Sequence, residues 1–316
     1  MDRFEAMSVA LAVAEAGSLS EAARRLKTPL ATVSRQVSDL EGHLEIKLFN
    51  RSTRALVLTD AGRSYVAASK RILTDLAEAE RTATGEYTTP RGDLILSAPL
   101  TLGRTLLLPV LEEFLKTYPQ VDVQLQLQDR HVNLLEEHVD AVVRIGNLAD
   151  SSLMAIRLGE VQPVTCASVG YLKAHGVPKT PEELKDHDCI TYAPPLSPSS
   201  WVFLRDGVEY AVPVHSRIIV SSLESATDAA RAGIGVTKAF SYNVAEFVKD
   251  GTLKLLLMRY QQPPRPVSLV YASNRFMPAK LRAFLDFAAP RLKERLNIVK
   301  AQCEGTQRRL REAGEY

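Results

Sequence analysis

The stretch Ser18-Leu19-Ser20-Glu21-Ala22-Ala23-Arg24-Arg25-Leu26-Lys27-Thr28-Pro29-Leu30-Ala31-Thr32-Val33-Ser34-Arg35-Gln36-Val37 decides how the front of this 316-residue chain reads. It is a short helix, a tight break and a second helix that Pro29 starts, since proline at a first helical position loses only an N–H that would stay unpaired. Upstream, Phe4, Met7, Leu11 and Ala14 recur at helical spacing and predict a third helix to pack on the pair. In the second helix Val33, Val37, Leu40 and Leu44 share one side. Its other side carries Ala31, Ser34, Arg35 and Ser38, which are small, hydroxylated or cationic. A packed back with such a front suits a helix that lies in a DNA major groove. An ordinary amphipathic hairpin is the competing reading.

The residues beyond this pair of helices favour the groove-binding helix. Leu48-Phe49-Asn50-Arg51-Ser52-Thr53-Arg54-Ala55-Leu56-Val57-Leu58 reads as a small hairpin, a wing, with two arginines near its tip. Thr59 or Asp60 then caps a helix running to about residue 84, along which Val66, Leu73 and Leu76 form part of an apolar seam suited to a partner helix. Between residues 24 and 71, ten Lys/Arg stand against four acids, a local excess of +6. The expected DNA-facing set is Arg24, Pro29, Leu30, Ala31, Thr32, Ser34, Arg35, Ser38, Arg51 and Arg54, with Arg24, Arg51 and Arg54 on phosphates, a wing arginine in a narrow minor groove and Arg35 on a base edge or an adjacent phosphate.

These motifs resemble those of the LysR-type transcriptional regulators, and the resemblance covers nearly the whole chain. Ala22-Ala23-Arg24-Arg25-Leu26 with Ala31-Thr32-Val33-Ser34-Arg35-Gln36-Val37-Ser38-Asp39-Leu40-Glu41 is close to the family's helix-turn-helix. Leu48-Phe49-Asn50-Arg51-Ser52-Thr53-Arg54 and Leu58-Thr59-Asp60-Ala61-Gly62 look like its wing and the start of its linker helix. One departure is Lys27-Thr28, where the family often has a glycine turn. The resemblance implies a regulator that binds a double-stranded DNA operator, senses a small molecule, contacts RNA polymerase and forms homodimers or tetramers.

Composition bounds the rest. A net charge of +2 gives no global nucleic-acid signature, so the basic excess is local. The three cysteines, Cys166, Cys189 and Cys303, are odd in number and widely spaced, which argues against a disulfide framework and suits a reducing cytoplasm. No leader with an apolar core and no run of membrane length is legible, so a cytoplasmic protein without membrane contact is expected.

After the polar stretch 82–92, strands and helices alternate: a strand at 93–98, a helix at 105–117, a strand at 121–127, a helix at 132–138 and a strand at 140–145. This rhythm predicts a mostly parallel sheet. A second run has strands at 162–167, 189–192, 201–203, 218–220 and 235–237, then the proline-rich 261–266, a strand at 267–272 and a helix near 278–292. The fold class is therefore an all-α-type winged helix-turn-helix domain (1–59), a linker helix and hinge (60–91) and an α/β domain (92–295). The resemblance implies that the α/β domain is a two-lobed, type 2 periplasmic-binding-protein-like body, with lobe one at 92–161 plus 267–295 and lobe two at 162–266. Residues 296–316 read as a solvated polar tail.

No catalytic constellation is legible, and no metal or cofactor is expected. His131, His138, His175, His187 and His215 lack metal-ligand pairing, no serine sits in a nucleophile elbow, and Gly233-Ile234-Gly235 lacks a dinucleotide loop's third glycine. His187-Asp188-Cys189 reads either as a reactive cluster or as a strand with a buried thiol. Ligands of open α/β lobes sit beyond strand ends against helix starts, which points to Ser97, Leu100, Thr101 and Ser221, with Arg144 as a cation for an anionic effector. The hydroxyls read equally as helix caps. At 236–242 the chain departs from the commoner family pattern, so Lys238 and Phe240 either give the pocket its own chemistry or, for Phe240, fill core space. Two alternatives remain: a redox sensor acting through paired cysteines, and a solute-binding protein without a regulatory role.

Overall fold

In the computed structural model the chain divides into two units, Met1–Thr88 and Thr89–Tyr316. The residues described are 2–51, 56–83, 89–130, 132–134, 136–148, 153–192, 200–272 and 277–312.

In the first unit each helix starts where a side chain or a proline ends the preceding segment. Asp2 accepts the Phe4 N–H at 3.0 Å and opens α1 (Arg3–Ala16), which left-handed Gly17 closes at φ 63°. Ser18 caps α2 (Leu19–Leu26). Pro29 stands at the cap position of α3 (Leu30–Leu44), one residue before the first-turn place expected of it, and its carbonyl accepts the Val33 N–H at 3.2 Å. Lys27 takes the left-handed turn at φ 51° without a glycine, a conformation that costs an L-residue about 1–2 kcal/mol. The short wing pairs β1 (Phe49–Arg51) with β2 (Leu56–Leu58). Thr59 then accepts the Gly62 N–H at 2.8 Å to start α4 (Asp60–Ala83). A side chain at position 62 would collide with the Leu48 carbonyl, so the wing and α4 meet only because this residue is glycine.

Val33, Val37 and Leu40 form the packed back of α3, as its periodicity predicts. On α1 the buried face is Ala6, Val9, Ala10 and Val13, offset from the expected Phe4, Met7, Leu11 and Ala14; Phe4 is 47% exposed. Small residues win that face because α1 has to lie close against α2, α3 and α4.

Glu41 locks the recognition helix to the wing. Its carboxylate is 3% exposed and accepts the N–H groups of Leu48 at 2.9 Å and Phe49 at 3.1 Å, with Lys47 Nζ at 2.7 Å. Burial alone would raise its pKa, but Lys47 and the two amides outweigh that and hold it below the ordinary 4.5. Its stabilising contribution is therefore complete above about pH 4.5 and is lost as pH falls through the lowered value. Glu41→Ala should destabilise the first unit by about 3 kcal/mol, because two buried N–H groups lose their acceptor. Urea unfolding followed by circular dichroism at pH 7 and pH 3.5 checks this: the gap between wild type and variant should narrow in acid.

The second unit begins with β3 (Gly92–Ala98). A helical segment follows, made of α5 (Leu100–Leu102), a π turn (Gly103–Leu107) and α6 (Leu108–Thr117). Next come β4 (Val121–Leu127), β5 (Ala141–Ile145) and β6 (Leu153–Val161). Gln162 alone then carries the chain into lobe two, where β7 (Pro163–Ser168), α7 (Val169–His175), β8 (Cys189–Tyr192), β9 (Ser200–Arg205), β10 (Val208–Pro213), β11 (Ser216–Val220), α8 (Leu223–Arg231), β12 (Val236–Phe240), α9 (Ser241–Lys249) and β13 (Leu253–Leu256) follow. The chain returns as β14 (Arg265–Ala272) and ends in α10 (Ala279–Glu312).

The sheets run β4-β3-β5-β14-β6 and β11-β8-β12-β7-β13. Each contains two parallel and two antiparallel ladders, which corrects the expected mostly parallel sheet. In each sheet the antiparallel ladders belong to the strand that arrives from the other lobe, β7 after the single residue Gln162 and β14 after the return segment 257–264, and no α-helical crossover precedes either. Gln162 also ties the crossings together. Its side-chain amide donates to the Gln262 carbonyl at 2.7 Å, its N–H to Ser241 Oγ at 3.2 Å, and its carbonyl accepts the Ser241 N–H at 2.8 Å.

Three further expectations change. Among the described residues of 132–138 there is turn in place of helix, ended by left-handed His138. The strand at 201–203 belongs to a separate hairpin, β9 with β10. The last helix runs past 292 to Glu312, through Pro290, because Leu292 and Leu296 are buried in the lobe-one core.

Candidate DNA interface and effector cleft

The front of α3 is open. Leu30, Ala31, Arg35 and Ser38 are exposed, Thr32 and Ser34 half-buried, and Pro29 is exposed ahead of them. Arg24 pairs with Glu21 at 2.5 Å and Arg25 with the same carboxylate at 3.4 Å. Such surface pairs contribute little and exchange readily for phosphate. The Arg51 side chain and Arg54 lie outside the described residues. Along α4, Val66 is already 8% exposed within its own unit, while Leu73 and Leu76 are half-buried and Ile72 is 42% exposed.

Two adjoining cavities lie between and beneath the lobes, of about 170 Å³ and 310 Å³. Tyr192, Leu223, Phe240 and Arg265 line both. The smaller takes Ser97, Gln128, Asp129, Arg130 and Arg144 from lobe one; the larger takes Thr191, Trp201, Lys238 and Gln262. Ser97, Arg144, Lys238 and Phe240 are thus brought to the cleft. Leu100, Thr101 and Ser221 line neither cavity. The Leu100 N–H donates to Asp129 at 2.9 Å, Thr101 is buried, and Ser221 is exposed because its neighbour Ser222 caps α8.

Charge in the cleft is unbalanced. Arg130 is neutralised by Glu137 at 2.8 Å. Arg144 donates only to the Val132 carbonyl at 2.6 Å, and neither it nor Arg265 has an acid partner among the described residues. The Ser97 hydroxyl, near the carboxyl end of β3, is buried with no partner among the described residues. Phe240 stacks on Tyr242 with centroids 5.9 Å apart and so walls both cavities while packing on the lobe-one core. Across the lobes Arg104 pairs with Glu224 at 2.6 Å, and the Tyr192 hydroxyl donates to the Asp129 carbonyl at 3.3 Å.

The His187-Asp188-Cys189 cluster is structural. Tyr171 Oη accepts the Asp188 N–H at 2.9 Å and meets His187 Nδ1 at 3.3 Å, while burial holds the imidazole below its ordinary pKa. Cys166 and Cys189 are both fully buried, and burial pushes each thiol up to about 12, with Asp188 adding to Cys189. They belong to β7 and β8, on either side of β12, and sit in different core clusters. Two strand spacings, about 9.6 Å, exceed the roughly 7 Å reach of a disulfide. Cys303 has its side chain outside those described.

A chain that carries such a helix face and such a cleft falls in the class of ligand-responsive DNA-binding regulators. Residues 4–63 match the model of the bacterial regulatory helix-turn-helix protein, lysR family, and residues 88–293 match the LysR substrate binding domain. The chain is similar to the HTH-type transcriptional activator AaeR of Escherichia coli, 32% identical over 286 residues that span 90% of this chain and 93% of that one. It is also similar to the solved structure of CrgA, a LysR-type transcriptional regulator from Neisseria meningitidis, at TM-score 0.60 and 32% identity over 91% of this chain and 98% of that chain. The full-length Vibrio cholerae virulence activator AphB gives TM-score 0.57 and 29% identity over 90% and 98%. The chain belongs to the LysR-type transcriptional regulators, with a helix-turn-helix DNA-binding unit and an effector-binding unit. The helix-turn-helix match removes the solute-binding alternative. No helix among the described residues is long and apolar enough to cross a membrane.

Sequence reasoning missed Asp129, Tyr192, Trp201 and Arg265. The rule that found Ser97, a ligand beyond a strand's carboxyl end, applies equally to Gln128-Asp129-Arg130 after β4. Arg265 lies inside the proline-rich stretch 261–266 but belongs to the cleft only because β14 starts there. Once Cys303 is replaced by serine, Ellman's reagent at pH 8 should find no fast-reacting thiol in the native protein and both Cys166 and Cys189 after guanidinium unfolding. A rapid native reaction would return the cysteines to a sensing role.

Proposed function

We propose that a small anionic molecule binds between the lobes and alters how paired N-terminal units hold an operator. The observation that carries this is the cleft's chemistry: among the described residues, Arg144 and Arg265 have no acid partner, and they stand with the buried Ser97 hydroxyl, which has no partner there either. Binding changes DNA affinity only if the effector favours one lobe arrangement over another. The front of α3, with Arg35 at its centre, reads base edges, and Arg24 with the wing arginines holds phosphates. Two copies join through α4 at Leu73 and Leu76, dimers associate further, and the assembled protein acts in the cytoplasm by contact with RNA polymerase. No catalytic step is assigned.

Footprinting on fragments selected from the host genome, with and without a panel of organic anions, tests this reading. Arg35→Ala should weaken specific binding by about 1–3 kcal/mol and relax the preference at one base pair. Arg144→Ala should leave binding to DNA intact while shifting the effector response to concentrations about tenfold higher or more. Equal responses in wild type and Arg144→Ala would move the effector elsewhere. Leu73→Glu should reduce the sedimenting mass, since a carboxylate in an apolar seam is costly without a partner.

A further inference from the structure

The larger cavity has a chemistry that the Arg144 end does not share. Lys238 reaches it from β12, donates to the Val202 carbonyl at 2.6 Å and rests 4.6 Å from the centroid of the Phe203 ring. An ammonium has three donors, and this is the one hydrogen-bond acceptor found for it among the described residues. Among those residues no carboxylate lines this cavity, whereas Arg265 adds a second cation to its wall. A largely buried ammonium whose one hydrogen-bond partner there is a backbone carbonyl, with Glu209 acting on it from outside the cavity wall, is a costly arrangement that an anion in the cavity relieves. Burial, then Arg265, push Lys238 down to about 8, with Glu209 opposing them. Three aromatic rings, Tyr192, Trp201 and Phe240, stand in its wall beside aliphatic Ile190 and Leu223 and polar Thr191 and Gln262. Trp201 is 6% exposed and its one donor is already engaged by Thr191 Oγ1 at 3.3 Å, so it offers the cavity apolar ring surface. The volume of about 310 Å³ lies at the lower end for small-molecule pockets.

We propose that this compartment binds a planar carboxylate whose anionic end pairs with Lys238 and Arg265 and whose ring lies among Tyr192, Trp201 and Phe240. The proposal rests on the cleft being the effector site, and it deepens that reading by fixing the ligand's chemical class and moving its charged end into lobe two. Trp201 is the chain's single tryptophan, so its emission reports on this cavity alone. The full chain is titrated with benzoate, and with benzamide and cyclohexanecarboxylate as uncharged and non-planar controls. Benzoate should change the emission saturably, and both controls should bind at least tenfold more weakly. Lys238→Met should weaken benzoate at least tenfold, while Lys238→Arg stays within about threefold of wild type, because it keeps the charge. An unchanged circular dichroism spectrum and unfolding midpoint secure each variant; if Lys238→Met fails to fold, the comparison of benzoate with benzamide still decides. No saturable change with benzoate up to about 10 mM, or equal affinity in wild type and Lys238→Met, overturns the proposal. If Arg144→Ala loses benzoate while Lys238→Met retains it, the cleft reading stands and this one falls. If benzoate binds through Lys238 yet leaves operator binding untouched, the cavity is a carboxylate site and the regulatory reading of the cleft fails.

Discussion

The second unit depends on one constraint: its two lobes share a chain that crosses between them twice, and both crossings meet at Gln162. This residue is all that separates β6 from β7; its side-chain amide reaches the returning segment at Gln262, and its backbone N–H and carbonyl pair with Ser241 in the first turn of α9. Through these three hydrogen bonds the pivot residue opposes turning of the lobes relative to one another. It also fixes where β14 begins, and therefore puts Arg265 on the floor of the cleft.

That arrangement explains why the cleft is rich in groups that the fold alone does not need. Core positions are mostly apolar: the aromatic cluster of Phe114, Phe284 and Phe287 and the aliphatic strands of both sheets bury apolar surface against apolar surface. Thr101 Oγ1 and Asn243 Nδ2 are among the few buried polar atoms outside the cleft that have no partner among the described residues. In the cleft, among the described residues, Ser97 buries an unpaired hydroxyl, Arg144 has a single backbone carbonyl, and Lys238 has another. Buried polar groups left short of partners lower stability, and a fold keeps them where something else completes them. Glu41 is the instructive opposite. It is as deeply buried as any of these, yet fully supplied with donors, and its work is to hold a helix and a wing together.

Much of this was legible in the residues. Helix-turn-helix and wing declared themselves because local rules govern them: caps at Ser18 and Thr59, a proline before α3, a 3.6-residue apolar stripe through Val33, Val37 and Leu40. Lys27 shows the limit of such rules, since a left-handed turn written without glycine is visible only through its geometry. In the α/β unit the strands were readable but their partners were not. Nothing in the local sequence of β14 says that it pairs with β5 on one side and β6 on the other. Site residues divided in the same way. Ser97, read from a strand end, lines the smaller cavity, whereas Ser221 lines neither, because one residue of shift in a turn decides between a cap, a cavity wall and solvent.

The strand order of lobe one sets a timetable for making the protein. Its sheet lacks a central member until β14 is synthesised, more than a hundred residues after β6, whereas every strand of lobe two lies within one continuous segment. On a ribosome lobe two can therefore close while β5 and β6 still present bare edges. At ordinary elongation speeds that interval is roughly 5–20 s. Unpaired edges are where chains join to the wrong neighbour. The nascent sensor is thus most vulnerable in the half that is synthesised first and completed last.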